Sequence, residues 1–285
     1  MSTAQVPAID MNKLNDFIGQ FVTDLGAAVH TGMVVIGEKL GLYKALAGEA
    51  LTSAQLAAKT KTDERYLREW LASQAGGGYI TNDARTDKFS LSEEQTFTLA
   101  TEDSPAYLPG AFELALGSLA AVPRIAESFR TGAGMGWHEH VDGVFHGCEK
   151  FFRPGYAANL VSSWIPALDG VKEKLERGRD CLHDMGDPIG AAEHVRKSLA
   201  SDGTWMIVEP FANDQLKDNL NPVGRVYYSF STLLCTPCSR SQEVGLCLGA
   251  QAGETRIRDV VTSAGFNRFR RATETPFNIV YEARP

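Results

Sequence analysis

Asp180-Cys181-Leu182-His183-Asp184-Met185-Gly186-Asp187-Pro188 and Asp202-Gly203-Thr204-Trp205-Met206-Ile207-Val208-Glu209-Pro210 are the two stretches whose reading decides the fold. Between them, Ile189 to Leu199 puts Ala191, Ala192, Val195 and Leu199 on one side, the pattern of a helix with a buried face. Ser201-Asp202-Gly203 closes that helix. The run from Thr204 to Pro210 is continuously apolar up to Glu209, as expected of a strand buried on both faces. Downstream, Glu254 to Ala264 predicts a second helix, stopped by Gly265 just past its end. Asn267 to Thr273 and Phe277 to Ala283 predict two strands around Glu274-Thr275-Pro276. Helix, strand, helix, strand, strand is the tail of a doubly wound sheet with an antiparallel last strand.

The upstream half reads as helices and one small wing. From Met11 to Ala47 apolar residues recur at helical spacing: Leu14, Phe17, Ile18, Phe21, Val22, Leu25, Val34, Val35, Leu40, Leu42 and Leu46. Gly32, Gly37 and Gly41 interrupt them, which predicts two helices rather than one rod. The stripe is too apolar to stand alone and predicts a homodimer. Next, Thr52 or Ser53 caps a short helix, and Thr60-Lys61-Thr62-Asp63 turns the chain and caps another. That second helix places Tyr66, Leu67, Trp70 and Leu71 on one face, and Gly76-Gly77-Gly78 stops it. Tyr79-Ile80-Thr81 and Lys88-Phe89-Ser90-Leu91 then form a hairpin. The whole is a winged helix-turn-helix. Its recognition helix holds Asp63, Glu64 and Glu69 against Arg65 and Arg68, a charge balance that argues against DNA binding and for a dimerising module.

Three motifs in the second half invite chemistry. Gly132, Gly134 and Gly136 follow a helical segment rather than a strand, so they do not form a phosphate-cradling loop. The same loop carries Trp137, His138, Glu139 and His140, with His146 beyond it. No ligand spacing there matches a known metal site, so no metal is assigned, and a loop over a pocket is expected. Cys235-Thr236-Pro237-Cys238 is a lone C-x-x-C without the second pair of a zinc ribbon. It predicts two reduced thiols lining a loop, inside an insertion from Asn219 to Cys247 that offers Tyr227, Tyr228 and Phe230 to a pocket.

The order of parts around His183 and Glu209 resembles class I S-adenosylmethionine-dependent methyltransferases, specifically the O-methyltransferase-like group with an N-terminal winged-helix domain. The closing Ala264-Gly265-Phe266 and two strands fit the same pattern. The resemblance implies an α/β fold: a helical winged-helix domain over 1–110, linker helices and a pocket loop over 111–178, and a truncated Rossmann-like methyltransferase domain over 179–285. It implies methyl transfer from S-adenosylmethionine to a small apolar or aromatic hydroxyl compound. His183 would be the general base, with Asp184 or Glu209 orienting the imidazole; the competing reading is that His183 caps local structure. Trp137, Tyr227 and Phe230 would contact substrate, and Phe152, Asp180 and Cys181 the cofactor.

One part of that pattern is missing. The family's glycine-rich strand-to-helix turn and the ribose-binding acid on the following strand have no counterpart where Val171 to Arg179 runs straight into Asp180. Two βα units, roughly 60 residues at ~30 each, are expected to be deleted between Arg179 and Asp180. The loss would leave the strand around Ile207 with an open apolar edge and predicts a chain that does not bind the cofactor. The alternative function is a non-catalytic or regulatory winged-helix dimer.

Composition sets the outer limits. In 285 residues, 44% are hydrophobic and 22% charged, with a net charge of −7. Those values exclude disordered, collagenous and coiled-coil classes and disfavour a broad nucleic-acid surface. No apolar run is long enough to cross a bilayer, no export signal precedes Met11, and five scattered cysteines make no disulfide framework. A cytoplasmic protein of about two domains is expected.

Overall fold

The sheet expected from the C-terminal third is present, and β4 (Trp205–Pro210) lies inside it. The order is β3-β4-β6-β5, with β3 (Arg179–Asp180) parallel to β4, and β6 (Asn278–Arg284) antiparallel to both β4 and β5 (Arg268–Glu274). This computed structural model describes residues 9–169, the backbone of 179 and 180, and residues 182–285. The predicted linker helix through 171–178, and Cys181, lie outside the described residues.

Alternation along β4 explains why its sequence is unbroken by polar residues. Trp205 and Ile207 pack against Leu182, Ala192, Ile257, Val261, Phe266 and Tyr281 on one face. Met206 and Val208 pack against Trp164, Leu168 and Val280 on the other. The first face is covered by α9 (Pro188–Ser198) and α12 (Gly253–Ser263). Asp187 caps α9 by accepting the Gly190 N–H at 2.9 Å, and Gly265 adopts φ +91° just beyond α12, where a side chain would be strained. The expected open edge at Ile207 is not found. Arg179 and Asp180, consecutive in one strand, pair with Met206 and Ile207, so among the described residues β3 is the outer strand on that side.

The chain divides into two compact units, 1–113 and 114–285. In the first, α1 (Met11–Lys39) is followed by α2 (Leu42–Leu46), α3 (Ser53–Thr60), α4 (Glu64–Gly76), the β1–β2 hairpin (Thr81–Asp83 and Lys88–Ser90) and α5 (Glu93–Leu99). α6 (Pro109–Leu119) begins here and runs into the second unit, which continues with α7 (Val122–Thr131) and α8 (Asp142–Asn159) and, after β4, α10 (Pro222–Phe230) and α11 (Thr236–Arg240). Thr52 and Asp63 cap α3 and α4 as expected, Thr52 within a full capping box with Gln55. Val34, Leu42, Tyr43, Leu46, Leu56, Leu67, Trp70 and Leu71 form the core of this unit.

The two helices expected between Met11 and Ala47 are present, broken at Gly41, which takes φ +66°; three finer expectations fail. α1 runs unbroken through Gly32 and Gly37. A helical glycine costs only about 1 kcal/mol, and Gly37 has a packing use: a Cβ there would lie 2.5 Å from Trp70 and 2.7 Å from Tyr43. Tyr66 does not join the inner face of α4 but is 82% exposed. Cys235 and Cys238 do not line a loop. Cys235 ends a π-helical turn, Ser231–Cys235, and Cys238 lies in α11.

The two glycines of α1 should respond oppositely to the same change. Trp70 is anchored by its Nε1–H to the Met33 carbonyl at 2.8 Å, so Gly37→Ala is expected to destabilise the protein by about 1–3 kcal/mol. Gly32 has nothing within 4 Å of a built Cβ, so Gly32→Ala should stabilise by about 0.5–1 kcal/mol. Urea unfolding midpoints of the two variants check both signs.

Candidate active site

Two parallel strands end side by side, and the groups of interest stand at their carboxyl ends, the usual ligand side of an open α/β sheet. Glu209 is at the end of β4 and only 3% exposed. A buried carboxylate requires partners, and the segment after β3 supplies two. The Leu182 N–H donates to Oε1 at 2.6 Å, and His183 Nδ1 lies 2.5 Å from Oε2. Leu182–Asp184 forms a single 3-10 turn, which aims the imidazole back at β4. With Nδ1–H held by Glu209, Nε2 faces the other way, 3.3 Å from Asp184 Oδ1.

Electrostatics follow from this arrangement. Burial alone would push the His183 imidazole down. Glu209 foremost, then Asp184, outweigh burial and, with a hydrogen bond to Cys235, hold its pKa well above the usual value. Burial pushes the Cys235 thiol up to about 11, and its strongest opposing influence is the hydrogen bond with His183. Tyr227 is raised to about 12, again by burial; its hydroxyl donates to the Phe277 carbonyl at 2.7 Å.

Cys235 links the polar pair to an apolar wall. Together with Leu114, Val144, Leu234 and Ala250 it forms a buried cluster against which Trp137, Tyr227 and Phe230 pack. Trp137 also meets Phe145 edge-on at 5.6 Å. α11 and the residues just after it are fastened to the segment after β3 by Ser239 Oγ–H, which donates to the Met185 carbonyl at 2.8 Å, and by Gln242 Oε1, which accepts the Gly186 N–H at 2.8 Å. The structure thus gathers His183, Asp184 and Glu209, and sets Trp137, Tyr227 and Phe230 around the adjoining cluster. Phe152 stands exposed on α8 against Phe151, at 5.0 Å, with no described contact to this group. Asp180 is described only as the last residue of β3, and Cys181 falls outside the described residues. Cys235 was missed as a site residue, although its C-x-x-C was visible. The signal lacked the fold, which alone brings residue 235 to residue 183.

The fold is a helical winged-helix region followed by an α/β domain. Residues 28–101 match the family described as the Rv2258c-like winged HTH domain. No curated protein matches the chain by sequence. Among solved structures, the chain is similar to human N-acetylserotonin methyltransferase in complex with SAM (TM-score 0.66, 14% identity, 99% of each chain covered). It is also similar to PigF with SAH (TM-score 0.63, 14% identity, 98% of this chain and 100% of that one). A third is an O-methyltransferase family protein from Burkholderia thailandensis (TM-score 0.62, 14% identity, 97% and 98%). At this level of identity the likeness concerns the fold.

Removing the acid should expose how much the pair matters. Glu209→Leu leaves the His183 Nδ1–H and the Leu182 N–H unpaired in the interior, and a loss of about 3–5 kcal/mol is expected. His183→Leu combined with Glu209→Leu should recover part of it, since replacing both partners removes the unpaired imidazole. Urea unfolding of the single and double variants measures the difference.

Proposed function

We propose that this chain carries the acceptor side of an O-methyl-transfer site, with a small hydroxyl compound of apolar or aromatic character as the acceptor. The observation that carries this reading is the buried Glu209–His183 pair, Oε2 to Nδ1 at 2.5 Å, at the carboxyl ends of β4 and β3. Glu209 fixes the imidazole's orientation and keeps one proton on Nδ1; in the neutral ring, formed above its raised pKa, Nε2 receives the acceptor's hydroxyl proton. Asp184, with its side chain 40% exposed, gives way to an acceptor oxygen at Nε2. Trp137, Tyr227 and Phe230 provide the apolar wall against which such an acceptor excludes water.

S-adenosylmethionine, which supplies an electrophilic methyl group when bound, is the donor that the fold implies. The residues present do not fit it. Among the described residues, the turns after β3 and β4 carry no glycine-rich approach to a ligand, and no further strand beside β3 bears a ribose-binding acid. The sequence offers only Phe152, Asp180 and Cys181 as cofactor contacts, too few hydrogen bonds at ~0.5–1.5 kcal/mol each to replace a preorganised seat. We infer that two βα units are deleted between Arg179 and Asp180, and that the chain in this form neither binds the cofactor nor transfers methyl groups.

A second reading, a non-catalytic cytoplasmic homodimer, is favoured by α1. Phe17, Phe21, Leu25 and Val29 recur every four residues on this helix and are all at least half exposed, an apolar stripe that a second copy would cover. DNA is a poor partner for the winged helix: Arg65 and Arg68 on α4 are each paired one turn away, with Glu69 at 2.6 Å and Glu64 at 2.7 Å. No helix among the described residues is long and apolar enough to cross a membrane.

Isothermal titration of the intact chain with S-adenosylhomocysteine should show no binding. A micromolar or tighter constant would mean that the cofactor seat lies elsewhere. The acceptor half is tested in a relative that has the additional βα units and keeps this His-Asp turn. Replacing the residue equivalent to His183 by Ala should lower turnover by roughly 10²–10⁴ while sparing cofactor binding; unchanged turnover would reduce His183 to a structural role.

A further inference from the structure

The C-x-x-C of α11 and its preceding turn finds no use in methyl transfer, yet it delivers a thiol to the one place where His183 and Asp184 converge. A ring nitrogen of His183, a carboxylate oxygen of Asp184 and Cys235 Sγ lie within 4.8 Å of one another. We propose that these three side chains form a binding site for a thiophilic divalent metal ion of the Zn²⁺ class. The proposal stands on this geometry and does not require the chain to transfer methyl groups.

The spacing suits a tetrahedral ion. With metal–ligand bonds of about 2.0–2.3 Å, neighbouring ligands in such a site stand about 3.3–3.7 Å apart. His183 Nε2 and Asp184 Oδ1 are already separated by 3.3 Å. Cys235 Sγ, within 4.8 Å of the other two ligand atoms, needs to approach by at most about 1 Å to complete the triangle. The donors are one imidazole, one carboxylate and one thiolate. That mixture selects zinc or cobalt over magnesium or calcium, which prefer sets made only of oxygen.

Two further features point to an ion rather than to an accidental cluster. First, Asp184 Oδ1 is buried without a well-formed hydrogen bond; it stands 3.3 Å from His183 Nε2, an ion pair that exists only while the ring is protonated. A metal ion would satisfy it at once. Second, His183 is already oriented as ligating histidines are. Its Nδ1 faces Glu209 Oε2 at 2.5 Å, and the same carboxylate is fixed by the Leu182 N–H at 2.6 Å. A carboxylate behind the ring fixes the tautomer and directs the Nε2 lone pair at the metal.

The backbone frame is equally firm. His183 and Asp184 share the 3-10 turn after β3, while Cys235 comes from the π-helical turn between α10 and α11. π-turns inserted in helices often mark functional positions. Ser239 in α11 and Gln242 just beyond it bind Met185 and Gly186, which ties the two ligand-bearing segments together. Three protein ligands leave the fourth position of a tetrahedron open to water or to a small molecule, as in metal sites that do chemistry. While a metal holds Nε2, that atom cannot accept a proton from a hydroxyl, so the two uses of His183 exclude each other.

The test is a titration of the metal-free, full-length chain with Co²⁺, followed by displacement with Zn²⁺. One ion per chain is expected, with a thiolate-to-cobalt charge-transfer absorption that Zn²⁺ abolishes. Cys235→Ser should remove the absorption, and Asp184→Asn should weaken binding by roughly tenfold or more. Cys247→Ser, whose sulfur instead contacts the Gly245 carbonyl at 3.2 Å, should leave both unchanged. Co²⁺ bound without the thiolate band, a band that survives Cys235→Ser or disappears in Cys247→Ser, or no binding below millimolar Co²⁺ would each overturn the site. Should Cys235→Ser fail to fold by circular dichroism, Asp184→Asn decides, because its part-exposed side chain tolerates the change: unaltered affinity there refutes the proposal.

Discussion

A carboxylate with almost no access to water sits at the end of the central apolar strand, and the second unit is arranged around keeping it paired. Glu209 accepts one hydrogen bond from the backbone of Leu182 and faces the His183 ring with its other oxygen. These contacts join the end of β4 to the turn after β3, alongside the two residue pairs between β3 and β4 and the packing of Leu182 in the core. Leu182, fully buried in the core beneath α9 and α12, is positioned by the same bond. Losing the carboxylate would therefore unsettle the polar site and the apolar core together, since one residue's N–H and its side chain serve one each.

That constraint also links the two chemistries considered for His183. Proton transfer from a hydroxyl and coordination of a metal both need an imidazole whose Nδ1 is held and whose Nε2 is exposed to a partner. The structure supplies this arrangement from three separate elements: a strand end, a one-turn helix and a π-turn. Neither use follows from the fold alone, because the winged-helix and sheet architecture positions these segments without dictating the side chains on them.

Much of this was legible in the sequence where a local rule acts alone. The caps at Thr52 and Asp63, the hairpin, the buried run of β4 and the stop at Gly265 each depend on a few neighbouring residues. The polar trio could be proposed because His183 and Asp184 are adjacent and Glu209 ends a recognisable strand. Reading failed where tertiary packing overrides local signals. Gly37 looks like a break but is a seat for Trp70, Tyr66 follows the helical stripe yet points outward, and Cys235 looks like part of a loop but closes a helical turn against His183. In each case the deciding neighbour is distant in the chain: 33 residues from Gly37 to Trp70, and 52 from His183 to Cys235. Periodicity does not report such separations.

The strand order carries a consequence for how the chain comes into being. β4 and β5 are not neighbours; each is paired with β6, which lies between them and is synthesised after both. Until residue 284 has emerged, the six-residue apolar ribbon Trp205–Pro210 has no partner along that flank. The nascent chain therefore passes through a stage with a sticky, unpaired strand, the kind of intermediate on which aggregation begins and to which holding chaperones bind. β3 and β4 can pair as they are made, but β5 joins the sheet only after β6, the last strand synthesised, has entered between β4 and β5.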